Sequence, residues 1–246
     1  MPRYQILIEY VGTNFIGWQV QKKGNSIQGL IQKKLSKILK EKITIIGSGR
    51  TDSGVHAIEQ SAHFDCTKII KDYKIFLKSV NYFLNKDLIS ILNIKKRKQI
   101  FHARYSAKMR SYVYVIYNRE SPISLNKNRG WHVKRELNIN LMNKGAKKLT
   151  GTHDYSVFRS SGCVAKSPIR TIKNFTIIKS KNTIKIRIKS RSFLQQQVRS
   201  MVGCLKYLAE GKWSLKYFEK VFKLKKRSLC AKPAPACGLF LEKVTY

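Results

Sequence analysis

Acidic residues are scarce in this sequence. Among 246 residues, 13 Asp plus Glu stand against 50 Lys plus Arg, which leaves a formal net charge of +37. A field of that sign attracts polyanions, and nucleic acid is the first candidate. Lysines outnumber arginines by 36 to 14, and Ile and Asn are abundant, so an AT-rich genome would produce the same bias. Charge alone therefore leaves nucleic-acid binding and compositional drift both open.

Long apolar runs and ordered cysteine spacings are also missing. No apolar run approaches the roughly 18 residues that a membrane-spanning helix needs. The first residues lead directly into a strand-like segment, without the layout of a signal peptide. The 5 cysteines are odd in number and form no Cys-x-x-Cys pair, which indicates neither a disulfide framework nor a zinc site. We expect a cytoplasmic protein with reduced thiols and no membrane association.

Hydrophobic periodicity predicts an α+β fold. The chain is 43% hydrophobic, enough for a folded core. Mixed helices and hairpins favour helices on an antiparallel or mixed sheet. A loop-like segment at 122–128 suggests two halves of similar style, 1–125 and 126–246. Apolar residues have helical spacing in 27–39, 73–84, 141–149, 194–209 and 215–224. Strands are predicted at 4–11, 42–46, 58–64, 89–94, 111–117 and 239–246, with a hairpin over 172–188 that turns near 181–182.

The most unusual stretch is the glycine-rich segment 47–57. Its glycines and small hydroxyl side chains allow a sharp turn that another molecule could approach closely. It holds Asp52, one of only 5 aspartates, two residues after Arg50. In a strongly positive field a carboxylate should stay ionised, as a nucleophile or base requires. The alternative is an Asx-turn in which Asp52 only accepts hydrogen bonds from nearby amides. These residues alone leave both interpretations open.

The same segment carries a resemblance to a known family. Residues 49–57 read Gly-Arg-Thr-Asp-Ser-Gly-Val-His-Ala and resemble the motif GRTDxGVHA of the tRNA pseudouridine synthase A family, with all eight fixed positions present. Seven further family-like blocks follow the family order from the first strand to the last. They are residues 17–19, 26–29, 101–105, 110–114, 151–155, 193–203 and 238–241.

The resemblance implies a fold, a substrate and a reaction. The fold would have two similar α+β halves, each an antiparallel or mixed sheet with helices on one face, and a positively charged cleft between them holding Asp52. A homodimer would convert uridine to pseudouridine at positions 38, 39 and 40 of the tRNA anticodon stem-loop, with one tRNA touching both subunits. The bond from uracil to ribose C1′ breaks with the participation of Asp52, and the base rejoins through C5. Nothing is oxidised or hydrolysed, so neither a cofactor nor a metal is implied.

Four more site residues take roles from the resemblance. Arg199 matches the arginine that sits against the aspartate, where a bidentate pair would keep the carboxylate oriented and charged. Tyr112 matches the active-site tyrosine, whose ring could stack on the base; the strand pattern alone favours a core residue, and Tyr114 is the alternative. Arg50 would contact phosphate or the flipped nucleotide. His56 would bond the substrate or be a satisfied structural histidine.

The distribution of carboxylates fits isomerisation better than hydrolysis. Glycoside hydrolysis usually needs two carboxylates, and the nearest other acid, Glu59, lies outside the glycine-rich turn. The target uridine is expected to be stacked, so it must be flipped out at a cost of a few kcal/mol, which phosphate contacts can offset. Two other functions stay open: an RNA-binding or RNA-chaperone protein without catalysis, and a synthase acting on another RNA or on neighbouring tRNA positions.

Overall fold

The computed structural model describes residues 1–246 as two compact units. Unit 1 contains Met1–Lys108 and Phe240–Tyr246, and unit 2 contains Met109–Leu239. Each unit combines a β-sheet with helices, which confirms the predicted α+β class. None of the helices combines the length and the apolar character that crossing a bilayer requires.

Ten strands and five α-helices follow one another along the chain. The strands are β1 (Arg3–Tyr10), β2 (Ile46–Gly47), β3 (His56–Asp65), β4 (Ile89–Arg97), β5 (Met109–Asn118), β6 (Trp131–Val133), β7 (Gly151–Asp154), β8 (Ile169–Ser180), β9 (Thr183–Ser190) and β10 (Leu239–Thr245). The helices are α1 (Ile27–Leu39), α2 (Tyr73–Leu84), α3 (Ile139–Lys148), α4 (Gln197–Ala209) and α5 (Leu215–Leu224). Short 3-10 helices lie at Asn85–Asp87, Ser156–Phe158, Arg227–Leu229 and Ala236–Gly238.

The sheet of unit 1 has the strand order β4-β1-β3-β10, with β2 also paired to β3. β1 is antiparallel to both β3 and β4, while β10 runs parallel to β3. Directly opposite residues share a face, so Gln5 and His63 lie on one side of this sheet. On the other side Tyr4 meets Tyr73 of α2 edge-on, which places the helices on that face. The residues of the helix-covered face are buried: Tyr4, Ile6, Ile8, Ala62 and Phe64.

Both helices of unit 1 begin at a capping side chain. The Ser26 hydroxyl accepts a hydrogen bond from the Gly29 amide at 3.1 Å, and the Asp72 carboxylate accepts one from the Ile75 amide at 2.9 Å. Such caps satisfy amides that have no partner inside the helix. The caps explain why both helices begin at the residues that apolar spacing predicts. The buried stripe of α1 is Ile27, Ile31, Leu35 and Leu39.

The predicted strand at 42–46 is wrong except at its last residue. The amides of Ile43 and Ile45 donate to the side chains of Ser36 and Gln32 on α1, at 2.9 and 3.1 Å. Their backbone groups therefore bind a helix instead of a neighbouring strand. Only Ile46–Gly47 pairs with β3.

The sheet of unit 2 has the order β5-β9-β8-β7, all antiparallel, with β6 parallel to β5. The predicted hairpin is β8 and β9, and its turn uses Lys181 in the left-handed region, with φ 50°. α3 packs against β8 and α4. A Cβ at Gly145 would lie 2.7 Å from Leu208, so the glycine lets α3 and α4 approach closely. The buried face of β9 carries Ile184, Ile186 and Ile188.

Three details of unit 2 differ from the sequence prediction. Helix α4 begins at Gln197 rather than 194, because Gln196 has a left-handed backbone with φ 60° and breaks the helical path. The short strands β6 and β7 were not predicted, since three or four residues are too few to show a period of two. α3 begins at Ile139, two residues early, after its cap Asn138.

The division between the units also differs from the predicted one at 125/126. Residues 109–125 belong to unit 2, where β5 pairs along its length with β9. Phe240–Tyr246 belong to unit 1, where β10 pairs with β3. The predicted linker 122–128 contains no helix or strand, but it lies inside unit 2.

Candidate active site

Asp52 lies in the turn between β2 and β3 of unit 1. Its side chain is half-buried, and its main-chain oxygen accepts a hydrogen bond from the Val55 amide at 3.1 Å. Gly54 in the same turn has φ 76°, a conformation that side-chain-bearing residues rarely adopt. The glycine therefore allows the chain to reverse immediately after the carboxylate.

The loop after β1 packs directly on the backbone of this turn. The Trp18 amide donates to the Thr51 carbonyl at 3.1 Å, and the hydroxyls of Tyr10 and Thr51 are hydrogen-bonded at 2.8 Å. A Cβ at Gly17 would stand 2.7 Å from the Thr51 oxygen. Gly12 is closer still, since its Cβ would stand 2.0 Å from the Val55 oxygen. These contacts hold the backbone on both sides of Asp52.

The start of the turn is tied to β3 by a buried glutamine. Ser48 Oγ donates to Gln60 Oε1 at 2.7 Å, and Gln60 Nε2 donates to the Gly49 carbonyl at 3.0 Å. The Ser48 amide also donates to the Ser61 carbonyl at 2.7 Å. The glycine-rich segment that carries Asp52 is therefore held in place by hydrogen bonds to both β1 and β3.

Arg50 and His56 lie at the two ends of the same turn. The Arg50 side chain is exposed. His56 is fully buried; its Nδ1 accepts from the Gly12 amide at 3.0 Å and its ring stacks on Phe240 with 4.6 Å between centroids. These contacts give His56 a structural role, and its bond to a substrate stays a prediction.

Tyr112 and Tyr114 belong to β5 of unit 2 and point toward the same buried face. Tyr112 is 9% exposed and meets Phe193 edge-on at 5.3 Å. The Tyr114 hydroxyl donates to the Pro235 carbonyl at 2.8 Å, and burial raises the pKa of Tyr114 well above its ordinary value. The hydroxyl of Tyr114 is therefore already used by a hydrogen bond in the core. Tyr114 is the weaker of the two candidates for the active-site tyrosine.

Arg199 lies in the first turn of α4 in unit 2 and is half-buried. Its Nε donates to the Ala234 carbonyl at 2.7 Å, and the Ala234 amide donates back to the Arg199 carbonyl at 2.9 Å. One turn further along, a Cβ at Gly203 would stand only 2.2 Å from the Lys232 oxygen. Residues 232–234 therefore run directly against α4 and position the guanidinium, which the sequence pattern alone would leave in solvent.

The structure brings three of the five predicted site residues into one turn. These are Arg50, Asp52 and His56 of unit 1, whereas Tyr112 and Arg199 lie in unit 2. Sequence reasoning missed Tyr10, whose hydroxyl supports the turn from 41 residues away. No group of three or more His, Cys, Asp or Glu side chains is placed to hold a metal ion.

Known proteins are similar to this chain along its full length. A family described as tRNA pseudouridine synthase matches residues 6–106 and 146–246. A tRNA pseudouridine synthase A of Pelagibacter ubique (strain HTCC1062) is 65% identical over 246 residues, which cover 100% of each chain. The protein of the same name from Ehrlichia chaffeensis (strain ATCC CRL-10679 / Arkansas) is 42% identical, covering 99% of this chain and 100% of its own. That of Brucella ovis (strain ATCC 25840 / 63/290 / NCTC 10512) is 38% identical, covering 100% and 98%. The chain therefore belongs to the tRNA pseudouridine synthase family.

Proposed function

We propose that this protein isomerises uridine to pseudouridine at positions 38, 39 and 40 of the tRNA anticodon stem-loop. Membership of the family and the names of full-length relatives support a tRNA substrate. The net charge of +37 supplies the field that a phosphate backbone requires. We place the protein in the cytoplasm with its tRNA substrate, and we propose that it acts as a homodimer.

The fixed backbone around Asp52 is the observation that carries the proposal. A half-buried carboxylate stands on a turn whose backbone is fixed by Gly17, Trp18 and Thr51. A carboxylate that must act on one sugar carbon gains from such fixed geometry, because it loses little freedom when the substrate arrives. A protein that only bound RNA would have no use for a fixed anionic group in its positive field.

The reaction conserves every atom of the nucleotide. The Asp52 carboxylate takes part in breaking the bond between N1 and ribose C1′, and the released uracil turns in place. C5 then bonds to C1′, C5 loses its proton, and N1 gains one. No electron and no water is consumed, so we assign the reaction no cofactor.

The other site residues support this step in the proposal. Arg199 would keep the Asp52 carboxylate ionised, and Tyr112 would stack on the flipped base. Arg50, exposed at the same turn as Asp52, would contact phosphate or the flipped nucleotide. For His56 we propose the structural alternative, because its ring is fully buried between Gly12 and Phe240.

Tritium release from tRNA carrying 5-³H-uridine tests the role of Asp52, because the C5 proton leaves only when C5 forms its new bond. We expect release with the parent protein, none with Asp52→Ala, and parent-like release with Glu59→Gln. The Glu59 variant removes a different carboxylate of the same unit, on β3, and controls for the change in charge. Retained tRNA binding by Asp52→Ala would separate a chemical defect from a folding defect.

Three outcomes would change the proposal. Full release by Asp52→Ala would remove the carboxylate from the mechanism. Release that persists from tRNA with cytidine at positions 38, 39 and 40 would assign other target positions. Tight tRNA binding without any release by the parent would favour an RNA-binding protein without catalysis. Sedimentation of the purified protein tests the proposed homodimer. A monomer at assay concentrations would exclude it.

A further inference from the structure

The loop between β4 and β5 lies on the face of the unit 1 sheet that the helices leave open. Its Ala103 amide donates to Nδ1 of His63, on β3, at 3.1 Å. The Tyr246 hydroxyl donates to the Ala103 carbonyl at 3.0 Å, and the Lys108 amide donates to the Thr245 carbonyl at 2.8 Å. The loop is therefore tied by its backbone to β3 and to the segment at the end of β10.

The side chain of Arg3 holds the start of the same loop in place. Arg3 donates through Nη1 to the carbonyls of Gln99 and Phe101, at 2.6 and 2.8 Å. Its Nε and Nη2 form a bidentate pair with Asp65 at 2.8 and 2.7 Å. The Phe101 ring packs on Tyr246 with 4.9 Å between centroids. The loop backbone is thus fixed before any ligand binds.

On this fixed loop the side chain of Tyr105 is 74% exposed. Its ring lies over His102, with 4.3 Å between centroids and a 31° tilt, and His102 in turn meets His63 at 4.9 Å. The Arg104 guanidinium lies 5.7 Å from the Tyr105 ring centroid. Burial, Arg3 and Arg104 lower the pKa of His102, which favours the neutral ring beneath the tyrosine.

This arrangement has the features of a site for an unpaired base. Proteins that bind single-stranded nucleic acid present aromatic rings for bases next to cations for phosphates. Here the ring is held from below by His102 and accompanied by Arg104, so it needs little ordering on binding. A large exposed ring contributes nothing to the core of unit 1, and its backing by a second ring is unexplained by folding alone.

The position of the ring separates it from the chemistry. His63 lies seven residues after His56 along β3, which corresponds to about 23 Å of strand. Asp52 precedes the start of that strand, whereas the Tyr105 loop is anchored near its end. A base on Tyr105 is therefore a different nucleotide from the one beside Asp52.

We propose that Tyr105, backed by His102 and flanked by Arg104, is a stacking platform for an unpaired base of the tRNA, remote from the nucleotide that is isomerised. The proposal rests on the tRNA substrate of the proposed function. Because a remote contact is the same in the ground and transition states, it contributes to Kd and KM and leaves kcat unchanged.

The test compares tRNA affinity and turnover in a set of single variants. Tyr105→Ala should weaken the Kd for unmodified tRNA and raise KM by about 5- to 150-fold, the range for loss of one stacked base, with kcat unchanged. Tyr105→Phe keeps the ring and should bind like the parent. Tyr105→Leu keeps apolar area without the ring and should be as weak as the alanine variant. Tyr82→Ala is the matched control, since Tyr82 is 80% exposed on α2, on the helix side of the same unit.

Each contrary result has a distinct meaning. Parent-like Kd and KM in Tyr105→Ala would overturn the platform while leaving the proposed function intact. A fall in kcat at saturating tRNA would place the ring at the reaction and overturn its remote role. A shift in sedimentation of Tyr105→Ala would assign the ring to a contact between copies of the chain. A parent protein that neither binds tRNA nor releases tritium would remove the proposed function and the platform together.

Discussion

Mild acid should destabilise this protein chiefly through His63, a buried histidine on β3. The side chain is 2% exposed, and its Nδ1 accepts the hydrogen bond from the Ala103 amide. A proton on that nitrogen would break the bond and place a charge in the core near Arg3 and His102. Burial, then Arg3, then His102 lower the pKa of His63 to about 4, whereas nearby Asp65 opposes this shift.

The sign and size of the effect follow from linkage. The unfolded chain takes up this proton near pH 6.5, whereas the folded chain resists it down to about pH 4. The stability that His63 contributes is therefore complete above pH 6.5 and is lost as the pH falls toward 4. Two pKa values this far apart correspond to about 2 kcal/mol lost at pH 5 and about 3 kcal/mol at pH 4. At about 2–4 °C per kcal/mol, Tm should be lower by roughly 4–8 °C at pH 5 than at pH 7.5.

Thermal unfolding of the parent, His63→Gln and His132→Gln between pH 7.5 and 4.5 measures this contribution. The amide oxygen of the introduced glutamine can replace the lost acceptor without titrating, so His63→Gln should flatten the pH dependence even if it is less stable at pH 7.5. His132→Gln, on β6 of unit 2, controls for loss of a histidine and should keep the slope of the parent. An unchanged slope in His63→Gln would refute the reasoning. Asp65 does not interfere, because Arg3 lowers its pKa below the ordinary 3.8 and its contribution is lost only under that value.

Two further predictions concern α4. Gly203→Ala should lower the free energy of unfolding by about 1–3 kcal/mol, because the new Cβ would stand 2.2 Å from the Lys232 oxygen. Denaturant unfolding measures this loss, and a parent-like midpoint would contradict the close approach. Arg199→Ala should keep its circular dichroism spectrum and lose most tritium release, while the exposed Arg135→Ala in the same unit should keep both; full release by Arg199→Ala would exclude a catalytic role.

The fold is predictable from sequence where local signals agree with long-range packing. α1 and α2 lie at the predicted residues because apolar spacing and a capping side chain coincide at each start. The alternating apolar residues of 42–46 predict a strand. The backbone amides of Ile43 and Ile45 instead donate hydrogen bonds to side chains of α1. Assignment of β10 to unit 1 could not be predicted, since nothing in its own residues specifies β3 as a neighbour.

The candidate site divides in the same way. The glycine-rich motif predicts a turn around Asp52, and the structure has one. The support from Tyr10 joins residues that are 41 positions apart, and no local pattern specifies such a pair. The motif at 101–105 was visible as a family block, but the exposure of Tyr105 depends on how the whole loop is tied to β3.

The membership of β10 in unit 1 sets an order of events during synthesis. At about 5–20 residues per second, Met109–Leu239 take roughly 7–26 s to emerge after Lys108. During that interval β2 already pairs with the end of β3, but His56 and Ala57 at its start lack their β10 partners, and such an unpaired strand end favours misassociation. Unit 2 has all its residues before unit 1 does. The stack of His56 on Phe240 therefore forms at the end of synthesis, so that the Asp52 turn gains its last support only when nearly the whole chain has been made.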